Sequence, residues 1–236
     1  MNILINGDSW GCGEWGLEKV GIDNIVNDPE FPGLTHRGIE HYFREKGYSV
    51  KNISKGGSDN VASCQRFEQE ELTQYDYIFC FQTDHIRHLN RGFLTADGKE
   101  KVTWEKLIEH QRRHLDKFYQ RLDSYNKTIY LLGGVNKIQL DIVKKYPNIV
   151  PIMPSVVEFI TPHLGSHNDL WWGQWILSIP YMEYDLECLE KIVQNKESNE
   201  FTMHPDFKKY YWPDGKHPNR LGHWKIFEYL CDRLKI

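Results

Sequence analysis

Met1-Asn2-Ile3-Leu4-Ile5-Asn6-Gly7-Asp8-Ser9-Trp10-Gly11-Cys12-Gly13 opens the chain. A short apolar run, enough for one buried strand, ends in a glycine-rich turn that carries a serine. The same grammar returns further on. Tyr48 to Ile53 alternates like a strand and is followed by Gly56-Gly57-Ser58-Asp59. Tyr75 to Phe81 is strongly apolar and aromatic and runs into Gln82-Thr83-Asp84. Thr128 to Leu132 stops at Gly133-Gly134, and Ile149 to Met153 stops at Pro154. Helical patterns lie between these runs. Residues 36–46 place Ile39 and Phe43 on one face and stop at Gly47. Ser58 or Asp59 caps a helix running to about Leu72. Residues 104–122 repeat Leu107, Ile108, Gln111, Leu115, Phe118 and Leu122 at helical spacing, and two more helices are expected at 184–194 and 220–234.

Strands alternating with helices imply an α/β fold, a parallel sheet covered on both faces. Such sheets carry their sites at the carboxyl ends of the strands. Ser9, Gly57, Thr83-Asp84 and Gly133-Gly134 each follow an expected strand, so signals far apart in sequence should meet on one edge. Two stretches, 85–103 and 155–183, escape the regular pattern and are expected to be loop or lid insertions in a single domain spanning 1–236.

Composition narrows the function classes. A chain of 236 residues buries a sizeable core without a disulfide or metal staple. A net charge of -4 with the two signs mixed, and no basic stripe, argues against a nucleic-acid partner. The five cysteines include no Cys-x-x-Cys pair, which disfavours a zinc ribbon or redox motif and favours a reducing compartment. No apolar run approaches a membrane span, and residues 1–5 are too short for a signal peptide, so a cytoplasmic protein with no membrane partner is expected. His110 and His114 stand four apart on an expected helix, but they enclose Gln111-Arg112-Arg113, without the glutamate of a zinc protease and with two cations in the way. Neither Gly-x-Gly-x-x-Gly nor a Walker pattern occurs, so no metal and no organic cofactor is expected.

Near the other end the chain reads Asp214-Gly215-Lys216-His217-Pro218-Asn219. A serine near one terminus and Asp-x-x-His near the other supply three roles: a hydroxyl nucleophile, a base for its proton, and a carboxylate to orient the base. Gly7 and Gly11 flank Ser9 two residues away on either side, close to a nucleophile elbow, but at the N-terminus rather than mid-chain. The plainer alternative makes Ser9 a turn serine, Asp214 a solvated acid and Asn219 the cap of the last helix. The aromatic run Trp171-Trp172-Gly173-Gln174-Trp175 fits neither a strand nor a helical stripe; it is either core or a platform for a flat apolar face such as a sugar ring. His85, Arg87 and His88 are either a solvated loop or contacts to a polar part of a substrate.

In these blocks the chain resembles the SGNH (GDSL-type) hydrolase superfamily, over nearly its whole length but on four short motifs. Gly7-Asp8-Ser9 matches the first, whose serine is the family nucleophile. Asn52-Ile53-Ser54-Lys55-Gly56-Gly57 matches the second, whose glycine N–H serves the oxyanion hole; the alignment falls on Gly57, with Gly56 as the alternative. Phe81-Gln82-Thr83-Asp84 stands where the family has Gly-x-Asn-Asp, so Thr83 replaces an amide donor and Gln82 is the other candidate. Asp214-x-x-His217 matches the last. The resemblance implies a flavodoxin-like three-layer α/β/α sandwich and a serine esterase acting on a small or carbohydrate-linked ester. Ser9, Asp214 and His217 would be its triad, and Ser9, Gly57, Thr83 and Gln82 its oxyanion hole. Trp10, Asp84, Arg87 and Trp172 are the candidates for touching substrate. A weak or inactive binding module that kept the fold is the alternative, since one side-chain donor is replaced.

Overall fold

The computed structural model describes residues 1–13, 38–83, 103–134, 137–160, 186–191, 209–211 and 217–236. Five strands, β1 (Asn2–Asn6), β2 (Ser49–Asn52), β3 (Tyr77–Gln82), β4 (Ile129–Gly133) and β5 (Ile149–Met153), pair in parallel in the order β2-β1-β3-β4-β5. This is the flavodoxin-like order, in which the crevice between β1 and β3 is the topological switch point.

Alternation along the strands divides the core in two. Ile3, Ile5, Phe79, Phe81 and Leu132 face one side, with α2 (Ile39–Glu45), α6 (Val156–Ile160) and α7 (Arg220–Leu234). Leu4, Ile78, Cys80, Ile129 and Leu131 face the other, with α3 (Asn60–Phe67), α4 (Trp104–Asp123) and α5 (Leu140–Val143). A sheet buried on both faces needs apolar side chains at successive positions, which is why β1 and β3 read as unbroken apolar runs. The expected three-layer α/β/α arrangement with a central parallel sheet is therefore the observed one.

Helix starts follow from local chemistry. Asp59 caps α3 by accepting the Ala62 N–H at 2.7 Å, Thr103 caps α4 through Lys106, and Asn219 caps α7 through the N–H groups of Leu221 and Gly222. The stretch expected as an insertion from 155 begins with α6, whose Val156, Val157 and Ile160 are core residues, so its first turn is structural. The rest of that stretch, 161–183, and residues 85–102 of the other lie outside the described residues. All five cysteines are free thiols. Among the described residues no helix is long and apolar enough to cross a membrane.

Candidate active site

The turn after β1 is built by close approach and by capping. A Cβ on Gly7 would lie 2.7 Å from the Phe81 Cβ and 3.0 Å from the Phe81 carbonyl, so only glycine lets β1 run this close to β3. Asn6 Oδ1 accepts the Gly7 N–H at 2.8 Å. Asp8 then caps α1 (Ser9–Cys12): its carboxylate accepts the Trp10 N–H at 2.9 Å and its carbonyl accepts those of Gly11 and Cys12. Ser9 is the first residue of that helix, where backbone N–H groups have no intrahelical acceptor.

The histidine arrives from the opposite end of the chain. Ser9 Oγ lies 2.8 Å from His217 Nε2, with the serine 1% and the histidine 9% exposed. A hydroxyl donating to Nε2 requires the ring proton on Nδ1. His217 is placed by its neighbours. Pro218 bridges Tyr211, the Asn219 N–H donates to the Tyr210 carbonyl at 2.9 Å, and the Asn219 side chain donates to the Lys209 carbonyl while capping α7. Asn219 is thus a cap, as the plainer reading had it, and the cap is what fixes the residues just behind His217.

Trp10 was expected at the substrate; its side chain instead is 3% exposed and belongs to the core, with its ring centroid 6.4 Å from that of His217. Burial leaves it as packing beside the imidazole, with almost no ring face for a ligand. His223, one turn into α7, had no sequence signal. It is fully buried, and neither ring nitrogen has a hydrogen-bond partner. Burial lowers its pKa to about 4, partly opposed by the nearby Gly13 backbone, and His217 adds to the lowering.

The turn after β2 brings in Gly57. The Ser58 N–H donates to the Lys55 carbonyl at 3.1 Å, and Gly57 sits in that turn with φ +73°, a conformation that side chains resist. Gly56 has no positive φ, so the two aligned glycines differ in the role the backbone demands of them. This turn is laced to the first one. Lys55 N–H donates to the Gly7 carbonyl at 3.1 Å, and the Asn52 amide donates to the Gly11 carbonyl at 2.9 Å.

The two side-chain oxyanion donors expected at the end of β3 are committed elsewhere. The Thr83 hydroxyl donates to the Asp8 carboxylate at 2.7 Å, and the Thr83 N–H and C=O are both held by the Asn60 amide. Gln82 accepts the Tyr119 hydroxyl at 2.5 Å and turns its amide N–H toward the Lys137 carbonyl. The physical reason is direction. Both residues are buried, and each side chain pairs with protein groups within reach, which for Thr83 include the acid that caps the serine's own helix.

Asp214, Asp84, Arg87 and Trp172, with His85 and His88, lie outside the described residues. Among the described residues no group of three or more His, Cys, Asp or Glu side chains is arranged to hold a metal. The His110 and His114 rings lie with centroids 4.1 Å apart, tilted 45° to each other.

No protein-family model and no curated protein matches the chain. Solved structures that resemble it include an acetylxylan esterase from Geobacillus stearothermophilus, 15% identical, with a TM-score of 0.43 and covering 100% of this chain and 94% of that one. An alpha/beta hydrolase from the metagenome of Lake Arreo, Spain, is 14% identical, with a TM-score of 0.41 and coverage of 98% and 93%. The psychrotrophic esterase EstA from Pseudoalteromonas sp. is 14% identical, with a TM-score of 0.39 and coverage of 99% and 96%. Likeness at this level carries no argument about chemistry, which rests on the site itself.

Proposed function

We propose that the chain is a serine hydrolase that cleaves an ester, small or carbohydrate-linked, through an acyl-enzyme. One observation carries the reading: two side chains 208 positions apart in sequence, a serine and a histidine, meet at 2.8 Å in a buried pair at the carboxyl edge of a parallel sheet. That distance is within the reach a base needs to take the nucleophile's proton. The resemblance of Gly7-Asp8-Ser9 and Asp214-x-x-His217 to the SGNH motifs supports the same roles.

In the proposed cycle His217 Nε2 takes the Ser9 proton as Oγ bonds to the ester carbonyl carbon. Asp214 holds the Nδ1–H and stabilises the imidazolium. Backbone N–H groups of Ser9 and Gly57 receive the developing oxyanion. His217 gives its proton to the leaving alcohol, and the acyl–Oγ bond remains. Water, deprotonated by His217, then attacks the acyl carbon and releases the acid, returning the proton to Ser9. Nucleophile, base and donors all come from the protein, so the cycle calls for no metal or cofactor.

The test is hydrolysis of p-nitrophenyl acetate by wild type and Ser9→Ala. The reading expects kcat to fall by roughly 10⁴-fold or more in the variant; equal rates remove Ser9 as nucleophile. The engagement of Thr83 and Gln82 favours a second reading, a binding module that kept the fold. A folded wild type no faster than Ser9→Ala would select it.

A further inference from the structure

Arg66, near the end of α3, does nothing in the cycle above, yet its guanidinium reaches both turns that the cycle depends on. Its Nε donates to Asn6 Oδ1 at 3.1 Å and Nη1 to Ser58 Oγ at 2.8 Å. Nη2 donates to the Gly7 carbonyl at 2.7 Å and to Ser63 Oγ at 2.9 Å. All four acceptors are neutral, so the cation is spent on shape rather than on an ion pair. They belong to the end of β1, the turn that carries Gly57, and α3 itself.

We infer that Arg66 is a positioning residue of the proposed active site, a clamp that sets the nucleophile turn against the Gly57 turn; the inference rests on the esterase reading. The Gly7 carbonyl takes both the Arg66 Nη2–H and the Lys55 N–H, and the Gly7 N–H is held by Asn6, whose Oδ1 also takes Arg66 Nε–H. The peptide groups two residues before Ser9 are therefore fixed on both sides. On the other arm, Ser58 directly follows Gly57. The Ser9 and Gly57 N–H groups can serve one oxyanion only at a set separation, and a misplacement of about 1 Å costs on the order of 10²-fold. A planar fork with five donors holds acceptors in three directions at once; a lysine ammonium on a flexible stem does not.

The experiment uses the full chain as Arg66→Ala and Arg66→Lys, with p-nitrophenyl acetate kinetics and amide hydrogen exchange. For Arg66→Ala, kcat should fall by about 10²-fold with KM changed by less than about threefold. Methylguanidinium should restore part of the rate in Arg66→Ala and none in wild type, and Arg66→Lys should stay slow. Exchange should quicken in 6–12 and 53–59 and not in β4 or α4. A folded Arg66→Ala with wild-type kcat overturns the inference, as does a loss of rate in proportion to the unfolded fraction with no rescue. Should Arg66→Ala not fold, the kcat and exchange of Arg66→Lys decide by the same criteria. If wild type and Ser9→Ala hydrolyse alike, the esterase reading fails instead, and unchanged exchange in the two turns is then the result that overturns the clamp.

Discussion

The two sides of the Ser9–His217 contact are held by different physics. On the serine side, turns after β1, β2 and β3 are laced by directional polar contacts: Asp8 to Thr83 and Trp10, Asn60 to Thr83, Arg66 to Asn6, Gly7 and Ser58. On the histidine side, His217 sits between a helix cap at Asn219 and apolar packing against Trp10, and close behind it His223 is buried with both ring nitrogens unpaired. A polar web fixes direction and is costly to break at any single strand. The buried ring of His223 carries an electrostatic penalty whenever it must be charged. The turn that carries Ser9 is therefore exposed to the loss of any one polar contact, and the region around His217 to the protonation of buried His223.

The strongest way to break the comparison is at the contact itself. His217→Ala should lower kcat for p-nitrophenyl acetate by about 10⁴-fold with the far-ultraviolet circular dichroism unchanged. A smaller loss, below about tenfold, would take the histidine side out of the chemistry.

The next effect is specific to that side. His223 titrates at about 4 in the folded protein, below the ordinary 6.5, so between those values the unfolded chain binds more protons. Its contribution is fully present above pH 6.5 and is lost as pH falls toward 4, a loss of about 3 kcal/mol over the window. Urea denaturation at pH 7 and pH 4.5 should show His223→Leu losing less stability on acidification than wild type. Equal losses would show that His223 carries no charge penalty.

The smallest effect belongs to the serine side. Thr83→Val keeps the shape but leaves the Asp8 carboxylate one donor short, at a cost of about 2 kcal/mol in urea denaturation at pH 7. Stability equal to wild type would mean that the web between the turns is not bearing on Asp8.

How much of this could be read in advance depended on the length of the signal. Residues 149–153 and 220–234 form the strand and helix expected of them, and the helix expected over 104–122 spans Trp104–Asp123, because each carries a full period of apolar residues. Ser9–Cys12, Leu140–Val143 and Val156–Ile160 are too short to show a period, and only their burial reveals them as helices of the core. At the site, the short motifs Gly7-Asp8-Ser9 and Asp214-x-x-His217 singled out two residues that the fold brings within 2.8 Å of each other. Direction was not legible. Residue identity says that Thr83 can donate, but whether its proton goes to a ligand or to Asp8 is set by the parallel pairing of β1 and β3, which brings the ends of the two strands side by side. Arg66 and His223 carry no motif at all; a surface helix would show the same letters.

The central claim is that Ser9 is a nucleophile activated by His217, and covalent capture tests it most directly. Folded wild type treated with a fluorophosphonate and digested for mass spectrometry should carry one phosphonyl group, on the peptide containing Ser9, and His217→Ala should label far more slowly. Folded wild type with no adduct on Ser9, or label on another serine at the same rate in both proteins, would contradict the account.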